Sequence, residues 1–439
     1  MLTREENDLL TRTNRGTPMG ELMRRYWVPA LFSHQLPEPD CPPLRVRLIG
    51  EDLVAFRDTN GQVGLLAANC PHRGASLFFG RNEGCGLRCV YHGWKFDVTG
   101  QCVDMPNAGR EMLEASSEAP AQLPGERANF AEEVQATAYP CVERGDVIWT
   151  YMGPRELQPG LPEYAFATVP GEHRYGTRHT QECNWLQSLE GGLDTAHVPF
   201  LHIGDRAFDR GKVIDVKTAM RTIAFHYEPV PADFGLMIGQ RRPLDVERCA
   251  WSSTPYLLPW YKVISQLEDD GLIGYHAWVP IDDEHTTVWS WEYHPDRPID
   301  ERDLEYSRKF LHIHLENIPG TDQPLWNASN DYGINRDLQR SGRHFTGIRG
   351  VGLQDTAMQE CQGPIADRTT EHLGTSDVPL IALRRCLLDA LKGMEAGATP
   401  PGLEPASQRV RPDSVVLPKS VPFASAVPGL QRERAAVPA

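Results

Sequence analysis

Two short motifs near the start of the chain carry residue types that bind metals. The first is Cys70-Pro-His72 and the second is Cys89-Val-Tyr-His92, with sixteen residues between them. Each motif pairs one thiol with one imidazole, so two neighbouring loops would present two thiolates and two imidazoles. Such a set can hold two sulfide-bridged irons, with both cysteines on one iron and both histidines on the other. The motifs therefore predict a [2Fe–2S] cluster that carries electrons.

A structural zinc site is the alternative for these four residues, because two cysteines and two histidines also satisfy a tetrahedral ion. Zinc sites usually space their paired ligands as C-x2–4-C and H-x3–5-H, whereas each half here mixes one cysteine with one histidine. The spacing favours the iron–sulfur cluster. A zinc-stabilised interaction protein stays open as a second hypothesis.

The elements around these motifs are predicted to be two short helices followed by a small β domain. Thr3 with Glu6 predicts a capping box, and Thr17-Pro18 predicts a second helix start. The stretch Leu44–Ile49 alternates apolar and polar residues as a strand does, and Asn60-Gly61 is a strong hairpin signal. The two metal-binding motifs then fall in glycine-rich loops between strands.

A second group of candidate ligands lies in the stretch Cys183–His202. Asp194 and His197 are three residues apart and would share one face of a helix. His202 follows His197 by five residues, about 140° further round an ideal helix. Pro199 removes a helical donor and favours a break, which would let both imidazoles reach one ion. Two structural histidines would give the same pattern, so the spacing alone does not decide.

The two cluster motifs, with their flanking residues, resemble those of a known family. The runs Asn69–Ser76 and Leu87–Phe96 are similar to the Rieske domain of ring-hydroxylating oxygenases, in the phthalate-dioxygenase-like branch of the alpha subunits. The resemblance extends through about Leu391. Respiratory-chain Rieske proteins carry an extra cysteine in each loop, where this chain has Ala75 and Tyr91. This departure points to the soluble oxygenase type.

The resemblance implies a role for each candidate residue. The Rieske [2Fe–2S] cluster would be bound by Cys70, His72, Cys89 and His92, the mononuclear Fe(II) by His197 and His202, with catalytic roles for Asn184, Glu190 and Asp194. The matching aspartate in the family bridges a cluster histidine of a neighbouring subunit to an iron-ligating histidine. The alternative for Asp194 is an ordinary surface or capping carboxylate.

The third iron ligand should be a carboxylate, because non-haem Fe(II) that activates oxygen typically uses two histidines and one carboxylate. The residues alone leave several candidates open: Asp331, Asp337, Asp355, Glu360 and Asp367. The stretch Gly352–Arg368 resembles the family segment whose first acidic residue is the ligand, which selects Asp355. The alternative is a helix-start aspartate that stabilises exposed amides.

The expected fold class is α+β. We expect an N-terminal helical segment over 1–26, a small all-β Rieske domain over 27–155, and a catalytic domain over 156–398. The resemblance implies a helix-grip architecture for the catalytic domain, an antiparallel sheet flanked by helices. Patterning predicts strands over Leu272–Val279 and Thr286–Tyr293 and helices over Asp300–Asn317 and Val378–Met394. Residues 399–439 would be a Pro-rich, extended C-terminal extension.

Composition excludes some classes of function. The chain has 439 residues, and 44 basic residues against 59 acidic ones give a net charge of −15, which argues against a nucleic-acid partner. The ten cysteines show no disulfide framework and suit a reducing compartment. Neither a secretory signal nor an apolar run of membrane-spanning length is visible. We therefore expect a cytoplasmic protein without a membrane partner.

The implied function is that of the terminal oxygenase of a multicomponent system, which uses O2 and two electrons per turnover. Gly347–Gly352 has the wrong spacing for a dinucleotide fingerprint, so a separate NADH-dependent reductase with flavin and an iron–sulfur centre should supply the electrons. The family expectation for the assembly is a homotrimer, a closed head-to-tail ring.

The implied substrate is an aromatic carboxylate of the phthalate or benzoate type, which would be cis-dihydroxylated. Candidate clamps for its carboxylate are Arg206, Arg221, Arg241 and Arg242, each of which could equally serve a surface ion pair. If Phe234–Arg242 is a strand, Arg241 and Arg242 face opposite sides. An aryl-ether O-demethylase is the alternative within the family. A Rieske electron-transfer protein without catalytic iron is the alternative from another class.

Overall fold

The structure divides the chain into two compact units. It is a computed structural model that describes residues 1–106, 130–205, 226–265, 271–305, 307–308, 313–342 and 344–428. Arg24–Gln158 form the smaller unit, and Met1–Met23 together with Pro159–Ala439 form the larger one. The sequence placed the borders after residues 26 and 155. The structure differs at both ends of the chain, because the N-terminal helices and the segment from residue 399 are parts of the larger unit.

Two short helices open the chain, as the capping signals predict. Helix α1 spans Arg4–Thr11, and helix α2 spans Pro18–Met23. The Thr3 hydroxyl accepts from the Glu6 N–H at 3.1 Å while the Glu6 carboxylate accepts from the Thr3 N–H at 2.8 Å, so the capping box is confirmed.

In the residues that the structure describes, the smaller unit consists of short antiparallel strands and one α-helix. Its elements are β1 (Trp27–Phe32), β2 (Leu44–Leu48), β3 (Glu51–Arg57), β4 (Val63–Ala67), β5 (Arg81–Asn82), β6 (Leu87–Arg88), β7 (Lys95–Phe96), β8 (Cys102–Asp104), α3 (Phe130–Glu133), β9 (Ala138–Tyr139), β10 (Cys141–Arg144) and β11 (Val147–Tyr151). The described strands form sheets in the orders β1-β11-β10, β2-β3-β4-β9 and β5-β6-β7-β8. The expected small β domain is thus present.

The predicted hairpin turn at Asn60-Gly61 joins β3 to β4. Gly61 has a φ of +81°, a conformation that glycine adopts without a Cβ penalty. The Asp58 carboxylate holds the loop by accepting from the N–H groups of Asn60 and Gln62 at 2.9 and 2.8 Å. The loops that follow β4 and β6 carry the two metal-binding motifs.

The larger unit is built on one antiparallel sheet of eight strands. Its strands are β12 (Arg174–Gln181), β13 (His226–Ala232), β14 (Gly235–Pro243), β15 (Arg248–Leu257), β16 (Tyr261–Ser265), β17 (Ile273–Pro280), β18 (Thr286–Tyr293) and β19 (Ser414–Pro418). The order is β12-β18-β17-β16-β15-β14-β13, and β19 pairs with β15. The antiparallel sheet expected for the catalytic domain is confirmed.

Helices and irregular segments cover this sheet. The helices are α4 (Ala165–Thr168), α5 (Trp185–Leu193), α6 (Val198–Leu201), α7 (Glu301–Glu305), α8 (Arg336–Arg340), α9 (Val351–Glu360) and α10 (Val378–Glu395). The strand predictions over 272–279 and 286–293 and the long helix predicted from 378 are confirmed within a residue or two.

The two faces of the sheet have different covers. We call the face that contacts α5 and α9 the helix-covered face. It includes Gln181, whose amide donates to Gln359 of α9 at 2.6 Å, and Trp278, against which Gly192 of α5 packs. The opposite face is covered by α4 and the C-terminal segment, as in the hydrogen bond from the Tyr275 hydroxyl to the Val410 carbonyl at 2.9 Å. Both faces of the central strands are therefore shielded from bulk water.

The predicted helix over Asp300–Asn317 is too long at its C-terminal end. Helix α7 spans Glu301–Glu305, and residues 307–308 are also helical, but the described residues 313–317 are not. Within this stretch His314 is buried against the sheet. Its Nδ1 lies 2.6 Å from the Thr177 hydroxyl, and its Nε2 lies 3.3 Å from the Glu292 carboxylate. These tertiary contacts outweigh the helical spacing of the leucines in this stretch.

Among the described residues, no helix combines the length and the apolar character that crossing a bilayer requires.

Candidate metal centres

The two loops that hold the predicted cluster ligands share one backbone arrangement. In each loop the N–H of the cysteine, Cys70 or Cys89, donates to the carbonyl five residues later at 2.8 Å. A glycine four residues after each cysteine, Gly74 or Gly93, donates in turn to the cysteine carbonyl at 2.9 Å. Both glycines have positive φ values, 75° and 80°, which explains glycine at these positions. The matched loops present their metal-binding side chains alike.

The thiols and the imidazoles of the predicted cluster site differ in how deeply they are buried. Cys70 and Cys89 are buried, whereas His72 and His92 are half-buried at the surface of the smaller unit. The two imidazoles lie together, with ring centroids 4.4 Å apart, and His72 stacks on Trp94 at 4.1 Å. The buried thiols would bind one iron, and the imidazoles nearer the surface would bind the other. This arrangement fits a cluster with both cysteines on one iron and both histidines on the other.

The electrostatics of the thiols fit a bound cluster. Burial raises the pKa of the Cys70 thiol to about 11, and the neighbouring Cys89 thiol adds to this effect. A buried thiol becomes a thiolate more readily when a cation compensates its charge. The irons of a [2Fe–2S] cluster would supply that charge beside Cys70, so these residues fit the cluster.

The second set of ligands follows helix α5. This helix begins at its N-cap Asn184, whose side chain accepts from the Leu186 N–H at 3.1 Å, and it ends at Leu193. The helix is therefore not continuous through His197, contrary to the shared helix face predicted from the spacing. Asp194 is instead the C-cap, and a turn leads to His197, after which the short helix α6 begins.

His197, His202 and Asp355 converge on one point. The Nε2 atoms of the two histidines lie 3.2 Å apart, and the Asp355 Oδ1 lies 3.3 Å from His197 Nε2 and 3.4 Å from His202 Nε2. Within the described part of the chain these are the residues whose ligand atoms lie within 4.8 Å of one another. We call them the metal-ligand triad. Two imidazoles and one carboxylate on one side of an ion leave its other positions open.

Asp355 lies in the middle of helix α9, five residues after Gly350, which is the N-cap. A carboxylate that stabilises exposed amides sits at the N-cap or in the first turn. Asp355 therefore does not serve that alternative purpose. Three of the other predicted candidates have side-chain partners elsewhere: Asp337 pairs with Arg340, Glu360 accepts from the Tyr332 hydroxyl and the Glu182 N–H, and Asp367 accepts from Thr369. The remaining candidate, Asp331, is not part of the converging group.

Hydrogen bonds set the tautomer of His202. The Gln354 amide nitrogen donates to the carboxylate of Asp205 and to the carbonyl of Ile348 at 2.6 Å, which fixes the orientation of the amide because a carboxylate only accepts. The Gln354 Oε1 then faces His202 Nδ1 at 2.8 Å, so this nitrogen carries the proton. The Nε2 lone pair of His202 is left for a metal. His197 is arranged alike, with its Nδ1 3.4 Å from the Asp194 carboxylate.

Asp205 is itself held by two further donors. Its carboxylate accepts from His344 Nε2 at 3.1 Å and from the Gly350 N–H at 3.1 Å. The His344 Nδ1 accepts from the Gly347 N–H at 3.1 Å, so its proton is on Nε2, where it can be donated to Asp205. We call Asp205, His344 and Gln354 the buried relay, since all three lie in the protein interior. Sequence analysis did not identify any of these three residues.

The triad calls for a cation. Burial lowers the pKa of the His197 imidazole, but the hydrogen bonds that the imidazole donates to the carboxylates of Asp194 and Asp355 outweigh this effect and raise the pKa to about 9. Burial alone dominates at His202 and lowers its pKa. In the metal-free chain a proton on His197 thus compensates two carboxylates. The same charges suit a divalent ion, and the donor set suits Fe(II).

Asn184 and Glu190, to which the resemblance gave catalytic roles, make contacts that hold the larger unit together. The Asn184 amide donates to the carbonyls of Thr11 and Asp283 at 2.9 and 2.6 Å. The buried Glu190 pairs with Arg368 at 2.8 Å and with Arg384 at 2.6 Å. Within the described residues, neither makes a hydrogen bond or an ion pair to the metal-ligand triad. Both residues fasten helix α5, which leads directly into the segment that contains His197 and His202.

The four predicted substrate arginines divide into two groups. Arg206 and Arg221 lie outside the described residues. Arg241 and Arg242 are in β14, on opposite faces as the alternation predicts. Arg241 lies over the Trp251 ring, 5.9 Å from its centroid, on the face away from α5. Arg242 is exposed on the helix-covered face, the face that also carries Tyr227, whose hydroxyl is 2.7 Å from the Thr195 hydroxyl.

Comparison with known proteins gives matches over both units. The family model for the Rieske [2Fe-2S] domain matches residues 26–123, and the one described as LigXa C-terminal domain like matches residues 254–425. The chain is 37% identical to the 3-chlorobenzoate-3,4-dioxygenase oxygenase subunit of Comamonas testosteroni, covering 97% of this chain and 98% of the relative. It is 38% identical to the phthalate 4,5-dioxygenase oxygenase subunit of Pseudomonas putida, covering 90% and 88%. It is 30% identical to a 5,5'-dehydrodivanillate O-demethylase oxygenase subunit of Sphingobium, covering 94% and 86%.

Solved structures show the same fold at lower sequence identity. The terminal oxygenase of carbazole 1,9a-dioxygenase from Nocardioides aromaticivorans IC177 superposes with a TM-score of 0.55 at 18% identity, covering 88% of this chain and 97% of that one. An oxygenase–ferredoxin complex of carbazole 1,9a-dioxygenase gives a TM-score of 0.56 at 17% identity, covering 86% and 92%. The two ligand sets and full-length relatives above 30% identity lead to one conclusion: the chain belongs to the Rieske non-haem iron oxygenases, as an oxygenase subunit with a [2Fe–2S] cluster domain and a mononuclear-iron catalytic domain.

Proposed function

We propose that this oxygenase cis-dihydroxylates an aromatic carboxylate of the phthalate or benzoate type. The observation that carries the proposal is the convergence of His197, His202 and Asp355 within 3.4 Å of one another. The names of the two relatives near 40% identity, a chlorobenzoate and a phthalate dioxygenase, support the substrate class. The triad argues against an electron-transfer protein without catalytic iron, and the relatives lend that hypothesis no support.

The residues of this chain would bind the iron and orient the aromatic substrate beside it. When bound, the iron supplies oxygen activation and the cluster supplies electrons one at a time. The buried relay and Asp194 hold both imidazoles with their Nε2 atoms toward the ion. Asp355 completes a one-sided ligand set, so an aromatic ring can lie beside the open positions.

Of the predicted substrate arginines, only those on the side of the sheet that faces the triad can contact a bound carboxylate. Arg242 is the described arginine of β14 on the helix-covered face, so it is the candidate there for a carboxylate contact. Arg241 is removed from the proposal because it packs on Trp251 at the opposite face. Arg206 and Arg221 stay as proposals from the sequence.

Electrons should come from a separate NADH-dependent reductase that contains flavin and an iron–sulfur centre. The sequence offers no dinucleotide fingerprint of its own, and the solved relatives include oxygenase–ferredoxin complexes. We also propose that the protein acts in the cytoplasm as a homotrimer, in which Asp194 joins the iron ligand His197 to a cluster histidine of the next subunit.

Product analysis with isotope-labelled dioxygen tests this function. The purified protein, with a matched reductase, is given phthalate, benzoate, 3-chlorobenzoate and a methoxybenzoate. Two labelled oxygen atoms in a ring diol are expected from at least one acid. Formaldehyde release from the methoxybenzoate without ring diol would instead indicate O-demethylation, the activity named for one relative. Absence of label from every substrate, with three irons bound per chain, would refute the oxygenase proposal.

A further inference from the structure

Four polar side chains form a row across the helix-covered face of the large sheet. Thr177 of β12 pairs with Ser290 of β18, Ser290 with His276 of β17, and His276 with Lys262 of β16. Residues that pair directly across antiparallel strands point to the same face, so all four are neighbours. His276 Nδ1 lies 3.2 Å from the Ser290 hydroxyl. A polar row is unusual on a face packed against helices.

The partial burial of two members of this row indicates a gap next to it inside the larger unit. In β17, His276 is half-buried while each of the other seven residues is buried. Lys262 is likewise half-buried between Tyr261 and Val263, which are fully buried. Both faces of these central strands are covered, so the accessible surface of His276 and Lys262 must face a gap beneath the helices. Such a gap can admit a small molecule.

The gap lies beside the metal-ligand triad. The Lys262 ammonium donates to the carbonyl of Gly192, two residues before Asp194. A side chain at Gly192 would clash with the Trp278 ring, 2.2 Å from the position of its Cβ, so glycine lets α5 approach the sheet here. The negative charges of Asp355 and Asp194 also act on Lys262, although burial dominates and lowers its pKa to about 8. Lys262 is thus still mainly a cation at neutral pH.

The cation has hydrogen-bonding capacity left over. An ammonium has three donors, and the Gly192 carbonyl takes one of them. Lys262 has no carboxylate within ion-pair distance in the part of the chain that the structure describes. The neighbouring imidazole has a second ring nitrogen for a ligand: burial lowers the pKa of His276 to about 3, so the ring is neutral, and in the tautomer whose Nδ1 accepts from the Ser290 hydroxyl the Nε2–H is a donor. A half-buried cation with spare donors favours an anionic ligand.

We propose that Lys262 and His276 bind the acidic group of the aromatic substrate, and so select aromatic carboxylates over their neutral counterparts. This inference rests on the proposed function and adds two recognition residues from strands β16 and β17. The ring of the acid would then lie between the polar row and the metal-ligand triad.

A purely structural role for Lys262 makes a different prediction. Lysine commonly binds the last carbonyls of a helix, and Gly192 is in the last turn of α5. In that role, losing the lysine would lower stability and affect all ligands alike. Lys262→Gln separates the two roles, since its amide keeps a donor for the Gly192 carbonyl but removes the charge.

Ligand binding to the anaerobic holoenzyme tests the inference by calorimetry, with benzoate, phthalate and 3-chlorobenzoate as acids and benzamide as the neutral counterpart of benzoate. Wild-type protein is expected to bind benzoate at least about tenfold more tightly than benzamide. Lys262→Gln should weaken the binding of benzoate by about 10- to 100-fold, which is the contribution of one charged hydrogen bond. The binding of benzamide should weaken by less than about threefold. Lys262→Arg should keep the preference. Lys392→Gln, an exposed lysine at the end of α10, is the charge control and should bind like wild type.

The outcomes are separable from those of the proposed function. Equal losses for benzoate and benzamide in Lys262→Gln, no preference for acids in wild type, or no binding of any acid would each overturn the inference. If wild type shows the Lys262-dependent preference but incorporates no labelled oxygen, the anion site stands and the proposed function fails. If labelled products form equally well with Lys262→Gln at low acid concentration, the function stands and the inference fails.

Discussion

The buried relay makes a sharp prediction for the variant Gln354→Leu. In the native chain the Gln354 oxygen accepts from His202 Nδ1 at 2.8 Å, and its nitrogen donates to Asp205. Leucine removes both bonds at constant volume. The His202 N–H is then left without an acceptor in the interior, which costs about 1–3 kcal/mol, equivalent to about 5- to 150-fold. His202 can escape this cost by moving its proton to Nε2, the atom that the metal needs.

We therefore expect Gln354→Leu to bind Fe(II) about 10- to 100-fold more weakly, as other changes behind metal-ligating histidines do. The assay is an anaerobic titration of protein that retains its cluster but lacks the mononuclear ion, in competition with a chelator. Gln359→Leu is the matched control, because Gln359 is a buried glutamine on the same helix that binds Gln181 instead of His202. It should lose stability but keep its iron affinity. An iron affinity of Gln354→Leu within about threefold of wild type would refute the reasoning.

Three further predictions concern other parts of the larger unit. Asp194→Asn should slow product formation at least about tenfold through His197 while the amount of reduced cluster counted by EPR stays the same; an unaltered rate contradicts the role of this carboxylate. Arg242→Met should raise the KM for aromatic acids and Arg241→Met should not, and equal KM values for both variants would remove Arg242 from the site. Burial lowers the pKa of His179 to about 4, so the unfolded state binds the extra proton, and this histidine by itself should lower the free energy of unfolding by about 3 kcal/mol as pH drops from 6.5 to 4. Chemical denaturation across this range should show a shallower fall for His179→Gln, and parallel curves would count against this source of acid sensitivity.

The local parts of both metal sites could be predicted from the sequence. The cluster ligands lie in two loops of a few residues each, so their spacing alone carried the chemistry. For the second site, spacing left His197 and His202 open, and the resemblance selected them together with Asp355; the structure brings the three together. Helix α5 was misjudged because the pattern through Asp194 and His197 fits a helix that in fact ends at Leu193.

The residues that support the second site could not be found in this way. Asp205, His344 and Gln354 are distant in sequence, and a lone aspartate, histidine or glutamine carries no periodic signal. Lys262 and His276 meet only through the register of β16 and β17. The weak signal available was the position of Gln354 directly before the predicted ligand Asp355. Tertiary pairing, which spacing does not encode, decides these contacts.

The path of the chain has a consequence for how the protein is made. Helix α1 is held by residues far downstream: the Trp185 indole donates to the Leu10 carbonyl at 3.1 Å, and Arg368 donates to the Asn7 side chain at 3.2 Å. Helix α1 must therefore wait for segments that are synthesised hundreds of residues later, whereas the contiguous smaller unit can fold as soon as it emerges from the ribosome. We expect nascent chains released before Arg368 to contain a folded cluster domain and an N-terminal helix without its docking partners.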